Sequence, residues 1–338
     1  MFLSIIIPVY NTEAYIAECL DSCLHQDISL DEYEIVCVND GSTDNSLAIL
    51  QSYADRYQNV KIITKENTGV SDTRNVGIRE SRGEYIWFVD SDDVVASNVL
   101  GALKARCTQT DCDRLLFHLA LCPHDMPSKE KRKELVANGQ LEIHRYWKVY
   151  IVSSLMRRRF LIEHDIWFPL GIAYGEDEIF TCSWKLYPYK NEEFDEVLYF
   201  YRTRPNSAMQ SRSLSSAKKR LECTFEIAKW LRSAGALDEF EAYQSGEQSK
   251  FLPEFALKYV RRVNDGLVQI ACLPYKEARK EWKKLKKTDL MDAKYMFAAK
   301  EDSQTIVRTH SVRRGMYKNY RAKRIRFVLK HPKRFLGI

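Results

Sequence analysis

Along the first 120 residues the hydrophobic pattern keeps changing period, from unbroken β-branched runs to the three-and-four spacing of a helix. Leu3 to Val9 predicts a buried strand, and Thr12 to Gln26 follows with Ile16, Cys19, Leu20, Cys23 and Leu24 on one helical face. Tyr33 to Val38 is again strand-like. Ser42 or Thr43 would cap a helix running to Tyr57, with Leu47, Ile49, Leu50 and Tyr53 turned inward. Strands over Val60 to Thr64 and Glu84 to Val89, and helices over Val70 to Glu80 and Val94 to Cys107, continue the alternation. Leu115 to Leu121 predicts one more strand. The alternation predicts an α/β fold, a mostly parallel sheet flanked by helices. In such sheets ligands sit beyond the carboxyl ends of the strands.

Past that point the pattern loosens. Pro123 to Gln140 is polar and charged and predicts a surface excursion, Arg145 to Phe168 has helical period and is rich in Trp, Tyr and Arg, and Phe194 to Tyr201 predicts a strand. From Ser215 to the region of Thr288 the period is mainly helical, broken near Gly235, Gly246 and Pro274. The expected organisation is a main domain over 1–210, split into halves 1–122 and 141–210, then a helical region 211–302 and a tail 303–338.

Charge sharpens that last division. The chain of 338 residues carries a formal net charge of +6, but residues 303–338 hold 11 Lys or Arg and no acidic residue, which leaves the first 302 residues at −5. Nine cysteines are scattered without zinc-finger spacing, several inside apolar runs, which predicts free thiols in a reducing compartment. No stretch approaches about 18 uninterrupted apolar residues, so no membrane-spanning helix is expected, and the start of the chain lacks the basic-then-apolar pattern of a signal peptide.

Candidate chemistry stands where the strands end. Asp90-Ser91-Asp92-Asp93 follows the apolar run Tyr85 to Val89. It is an oxygen-rich set of the kind a hard divalent cation takes, although Asp92 and Asp93 alone equally suit the first turn of a helix. Pro8-Val9-Tyr10-Asn11 closes the first strand. Asn39-Asp40-Gly41-Ser42-Thr43-Asp44 closes the second, with Asp40 a fixed acceptor for a base N–H or ribose hydroxyl beside the turn at Gly41. Asn67-Thr68-Gly69 enters a helix in which Arg74-Asn75 lies a turn further on, where Arg74 would reach a phosphate or orient Asp40 and Asp90. The dinucleotide fingerprint GxGxxG is absent. Trp147, Trp167 and Trp184 are open between core packing and stacking on a sugar.

These segments, in this order and with Gly175-Glu176-Asp177-Glu178-Ile179-Phe180 downstream, resemble family 2 glycosyltransferases of the GT-A fold, of the kind that builds bacterial surface polysaccharides. The resemblance implies that Asp40 is the uracil-side acceptor, framed by Pro8, Tyr10, Asn11 and Asn67 and supported by Arg74. It implies that Asp90 and Asp92 are the ends of a DxD motif enclosing Ser91, with Asp90 on the ribose or sugar and Asp92 on Mn²⁺ or Mg²⁺. Asp177 would be the general base of an inverting transfer, with Glu176 binding the acceptor or orienting the base. Tyr201-Arg202-Thr203-Arg204-Pro205-Asn206-Ser207 is similar to a loop that covers the donor diphosphate. Either Arg202 or Arg204, helped by Ser207, would meet phosphate, unless the pair forms structural salt bridges.

The expected reaction is transfer of one sugar from a nucleotide-sugar, by family habit a UDP-sugar, to a glycan or polyprenyl-linked saccharide. A catalytically silent relative that binds a glycan or a partner is the alternative. Val312 to Ile338 carries ten basic residues among aromatic and aliphatic ones. At ~1 kcal/mol per basic residue beside an anionic bilayer, this tail predicts peripheral docking on the cytoplasmic membrane face. Nucleic acid is the competing partner, and the body of the chain contains no nucleic-acid-binding motif. The donor sugar, acceptor, linkage and oligomeric state are not legible.

Overall fold

The computed structural model describes residues 1–145, 151–204 and 213–236, together with scattered positions between 258 and 284. The chain divides into two compact units, Met1–Ser211 and Arg212–Ile338. The site lies in the first.

That unit is built on a mixed nine-stranded sheet in the order β3-β2-β1-β4-β8-β6-β9-β5, with β7 paired to β6. The strands are β1 (Leu3–Val9), β2 (Tyr33–Asp40), β3 (Val60–Lys65), β4 (Tyr85–Phe88), β5 (Val94–Val95), β6 (Arg114–Cys122), β7 (Glu142–His144), β8 (Ser154–Arg157) and β9 (Asn191–Arg202). From β3 to β4 all neighbours are parallel. All eight residues of β2 are buried, as both faces of a covered parallel strand must be. The chain lays β2 and β3 on one side of β1 and then crosses to place β4 on the other. That reversal opens a crevice at the carboxyl ends of β1 and β4, where a ligand can enter. Helices α1 (Ile16–Leu24), α2 (Ser46–Ala54) and α3 (Val70–Glu80) connect these strands. In α3 a side chain at Gly77 would bring its Cβ within 2.3 Å of Ile6 Cγ2, so only glycine lets this helix lie so close on β1.

The second half departs from the predicted pattern. A helix was expected from Val94, but Val94 and Val95 pair antiparallel with Phe200 and Tyr199 of β9, and α4 (Leu100–Thr110) begins six residues later. Two β-branched residues facing an open strand edge gain more from the ladder than from a helical turn. The helical period expected over 145–168 gives way to β8, inserted antiparallel between β4 and β6, and the short α6 (Arg158–Glu163). Ser154, Leu155 and Met156 are all buried, so this strand has no alternating face to betray it. The polar excursion contains a helix, α5 (Lys129–Ala137), capped by the Ser128 hydroxyl accepting from Lys131 N. α7 (Glu176–Trp184) precedes β9, which runs three residues earlier and one later than expected. In the second unit α8 (Leu214–Leu231) is capped by Ser213.

Among the described residues no helix is long and apolar enough to cross a membrane, and the eight described cysteines are free and buried. Trp184 is core, stacked on Phe160 at 4.4 Å. Trp147, Ser207 and the tail 312–338 lie outside the described residues.

Candidate active site

The ends of β1, β2 and β3 are tied into one rim. Asn11, at a left-handed φ of 50°, accepts from Thr43 N at 2.8 Å through its side chain while its own N–H donates to Ser42 Oγ. Gly41 turns the chain at φ 69°, where a Cβ would sit 3.0 Å from Asn67 N. Asp40 is buried. Its two carboxylate oxygens accept from Thr68 N at 2.9 Å and Gly69 N at 3.0 Å, and Lys65 pairs with it and with Asp72. Asp40 therefore fixes the entry loop of α3, and a base contact would use the lone-pair capacity that remains. Pro8 is partly buried, while Tyr10 and Asn67 are exposed beside this rim.

The Asp90–Asp93 segment is held from β9. Tyr199 is buried, its hydroxyl donating to Asp93 Oδ2 at 2.6 Å and accepting from Asp90 N at 3.1 Å. Arg202 N donates to the other oxygen of Asp93 at 2.7 Å. Asp93 is thus the buried peg of the turn. Burial first, then the charges of Asp92 and Asp90, pushes its carboxyl well above the usual range. Burial and Asp90 likewise raise Asp92, against the pull of Arg204 and Arg202. Arg202 is 5% exposed and donates to Asp92 O, to His124 O at 2.7 Å and to Glu18 of α1, with its guanidinium 5.2 Å from the Tyr15 ring centre. These contacts anchor Arg202 within the fold. Arg204 instead pairs through Nε with Asp92 Oδ2 at 2.6 Å and is one-third exposed. Ser91 is buried in the same turn.

Arg74 joins this turn to the acidic pair. Its Nη2 donates to Asp90 Oδ1 at 2.9 Å and its Nη1 to Glu176 Oε1 at 2.8 Å, bridging segments 86 residues apart. Its partner is not Asp40. Burial works to lower the guanidinium pKa, but Asp90, Glu176 and Asp177 outweigh it and hold the group firmly cationic. The guanidinium packs 5.3 Å from the ring centre of Phe168, which stacks on Phe180 of α7 at 3.9 Å. The next residue, Asn75, clasps the backbone of Phe168 with two 2.9 Å bonds. Gly175, at φ 79°, turns the chain into α7, and Asp177 accepts from Glu178 N at 2.9 Å.

Arg74 thus brings together Asp90, Glu176 and Asp177 from three separate stretches of sequence, with Ser91 and Asp92 following Asp90 in its turn. Asn11, Asp40 and Asn67 stand at the ends of β1, β2 and β3, beside Pro8 and Tyr10. Sequence reasoning missed Asp93 as a peg, Tyr199, Lys65 and Glu18. Alternation along β9 could have pointed Tyr199 inward, but nothing local marks its partner. Among the described residues no three acidic, His or Cys side chains are grouped to hold a metal. A cation that keeps waters and takes diphosphate oxygens needs only one or two carboxylates. Asp92, an oxygen donor that already has a cation against it, fits that need.

Residues 4–168 match the model of glycosyl transferase family 2. These residues form a family 2 glycosyltransferase domain. The chain is 35% identical over 222 residues to the uncharacterized glycosyltransferase EpsJ of Bacillus subtilis, covering 61% of this chain and 62% of that protein. It is 36% identical over 203 residues to the poly(ribitol-phosphate) beta-glucosyltransferase of Bacillus spizizenii, covering 60% and 32%. The match spans less than two thirds of both relatives. The fold is that of Staphylococcus aureus TarS residues 1–349, solved with UDP-GlcNAc: TM-score 0.55, 24% identity, 82% of this chain and 83% of that one. This likeness shows a GT-A-type α/β fold.

Proposed function

We propose that the chain is an inverting, metal-assisted glycosyltransferase that moves one sugar from a UDP-sugar to a hydroxyl of a glycan or lipid-linked saccharide in surface-polysaccharide assembly. The observation that carries this reading is the Arg74 bridge, which holds the donor-side Asp90 and the acceptor-side Glu176 on one guanidinium. A nucleotide would lie along the rim of Tyr10, Asp40 and Asn67, its sugar directed toward Asp90.

Asp177 removes the acceptor hydroxyl proton. The oxygen attacks the anomeric carbon from the face opposite the diphosphate, and the bond from that carbon to the diphosphate oxygen breaks with its electron pair. Configuration inverts, and the proton stays on Asp177. The firmly cationic Arg74 stands beside Asp90, Glu176 and Asp177. Asp92, with Asp90 beside it, would hold Mn²⁺ or Mg²⁺, which when bound neutralises charge on the departing nucleoside diphosphate.

The test is Asp177→Asn. A general base typically contributes about 10²–10⁴-fold, so turnover should fall by at least a hundredfold while UDP still raises the melting temperature. Unchanged turnover would remove Asp177 from the reaction. A panel of UDP, GDP, CDP and dTDP, each with and without Mn²⁺, tests the donor: ligand at a hundredfold over its Kd stabilises by about 2.7 kcal/mol. We further propose that the basic tail docks the enzyme on the anionic cytoplasmic leaflet. Removing 312–338 should then abolish co-sedimentation with phosphatidylserine vesicles, and undiminished binding would rule the tail out.

A further inference from the structure

Arg202 and Arg204 leave β9 two residues apart and reach the same aromatic ring, with guanidinium carbons 5.2 and 5.5 Å from the Tyr15 centroid. Their anchoring differs sharply. Arg202 is buried and spreads its guanidinium donors over Asp92 O, His124 O and Glu18, while its backbone N–H holds Asp93. Arg204 is one-third exposed, and among the described residues it meets the Asp92 carboxylate and the ring face. One arginine is built in and the other is held at a single carboxylate oxygen.

That oxygen belongs to the side chain best suited to a divalent cation. Asp92 is only 16% exposed and its Oδ2 lies 2.6 Å from Arg204 Nε, so the carboxylate is held largely out of water with a cation against it. Two cations cannot share that oxygen without strong repulsion at a few ångströms. We propose that Arg204 is the exchanging counter-ion of Asp92: it occupies the carboxylate when nucleotide and metal are absent, and a divalent cation displaces it onto the donor diphosphate. This deepens the metal-assisted reading above and rests on it. A released guanidinium finds in a diphosphate the bidentate acceptor it prefers. Metal and nucleoside diphosphate must then favour each other by the same factor, because each removes an obstacle to the other. Tyr15 supplies a face along which the guanidinium can shift without losing its contact.

The experiment measures Mn²⁺ binding to the nucleotide-free full chain, by the electron paramagnetic resonance of free Mn²⁺, so that no turnover is involved. Arg204→Gln should bind Mn²⁺ at least tenfold more tightly than the parent, because the competing charge is gone. Arg204→Lys keeps the charge and should bind as the parent does. In Arg204→Gln the factor by which UDP and Mn²⁺ enhance each other should shrink at least tenfold. Equal or weaker Mn²⁺ binding by Arg204→Gln, or a tenfold gain in Arg204→Lys as well, overturns the exchange. Asp92→Asn separates the two readings. If it abolishes Mn²⁺ binding while Arg204→Gln shows no gain, the exchange fails and the metal site stands. If it leaves Mn²⁺ affinity untouched, the metal site fails and the exchange with it. Matching melting temperatures for the Arg204 variants and the parent confirm that folding is not the variable.

Discussion

Arg74 and Arg202 are buried to the same depth, at 6% and 5% exposure, yet their guanidinium groups are spent in opposite ways. Arg74, on a helix of the parallel half, bonds two carboxylates to which the proposed reaction assigns roles, Asp90 and Glu176. Arg202, at the end of a strand in the mixed half, bonds two backbone oxygens and one half-exposed glutamate. The first controls charge in the site and the second controls its shape. Removing the first leaves two like charges, Asp90 and Glu176, without their shared cation at 30% and 13% exposure. Removing the second leaves two carbonyl groups and a half-exposed glutamate that water can reach, which suffer less.

Arg74→Met therefore breaks the comparison most strongly. Losing one partner of a buried pair costs about 3–5 kcal/mol. Asp90 keeps 30% of its side-chain exposure, so water relieves part of the loss and the lower end, about 3 kcal/mol, is expected in denaturant melts. A second signature separates charge from packing. Arg74 and Asp177 attract each other, so losing the cation makes Asp177 harder to ionise, and the acid limb of the kcat/KM profile should move to higher pH. An unmoved limb would reduce Arg74 to scaffolding.

Arg202→Met should cost less, about 2 kcal/mol, since a buried acceptor left unsatisfied costs about 1–3 kcal/mol and the Arg202 N–H to Asp93 survives the substitution. Its acid limb should move less, because Arg202 bonds two neutral oxygens and the half-exposed Glu18 rather than Glu176. A shift as large as that of Arg74→Met would show that both arginines act through charge.

The same contrast explains what could be read beforehand. The parallel half was legible because its strands are continuous β-branched runs and its motifs stand at strand ends, where topology alone brings them together. Asp40, Asp90 and Asp92 needed no tertiary knowledge to be singled out. The mixed half was not. Ser154, Leu155 and Met156 are buried on both faces and carry no period, and Val94-Val95 became a strand only because Phe200 and Tyr199 were there to pair with them. Which of Arg202 and Arg204 is anchored more deeply was equally hidden, since the answer lies in Glu18 and in the backbone at His124, far away in sequence.

Lys65→Met probes the rim of the parallel half at smaller scale. Lys65 and Asp40 are 15% and 6% exposed, and the lysine also reaches Asp72. Asp40 keeps its bonds from Thr68 N and Gly69 N without the lysine. A loss of about 1 kcal/mol, in line with a net charge-assisted contact, is expected in stability. UDP affinity, measured by calorimetry, should weaken severalfold through a looser entry loop. Undiminished affinity would separate this loop from the nucleotide.

The smallest effect concerns a turn that the sequence placed nearly correctly. Ser42 or Thr43 was expected to cap the helix after β2, but the helix starts at Ser46 with Asn45 at its N-cap position, and Asp44 just before it accepts from Ser46 N at 2.9 Å through one oxygen and from Glu13 N at 3.0 Å through the other. Partial burial works to raise its pKa, and these hydrogen bonds more than reverse that, leaving it below the usual value. A carboxylate whose folded pKa is depressed contributes stability above its unfolded pKa and loses it as pH falls through the folded one. Asp44→Ala should thus cost about 1 kcal/mol at neutral pH, as a lost side-chain acceptor at a helix start does. The gap between variant and parent should narrow as pH drops below the ordinary carboxylate range. A pH-independent gap would mean that the loop depends on Asp44 for packing rather than for its charge, and would place this turn nearer to Arg202 than to Arg74 in the way it holds the site.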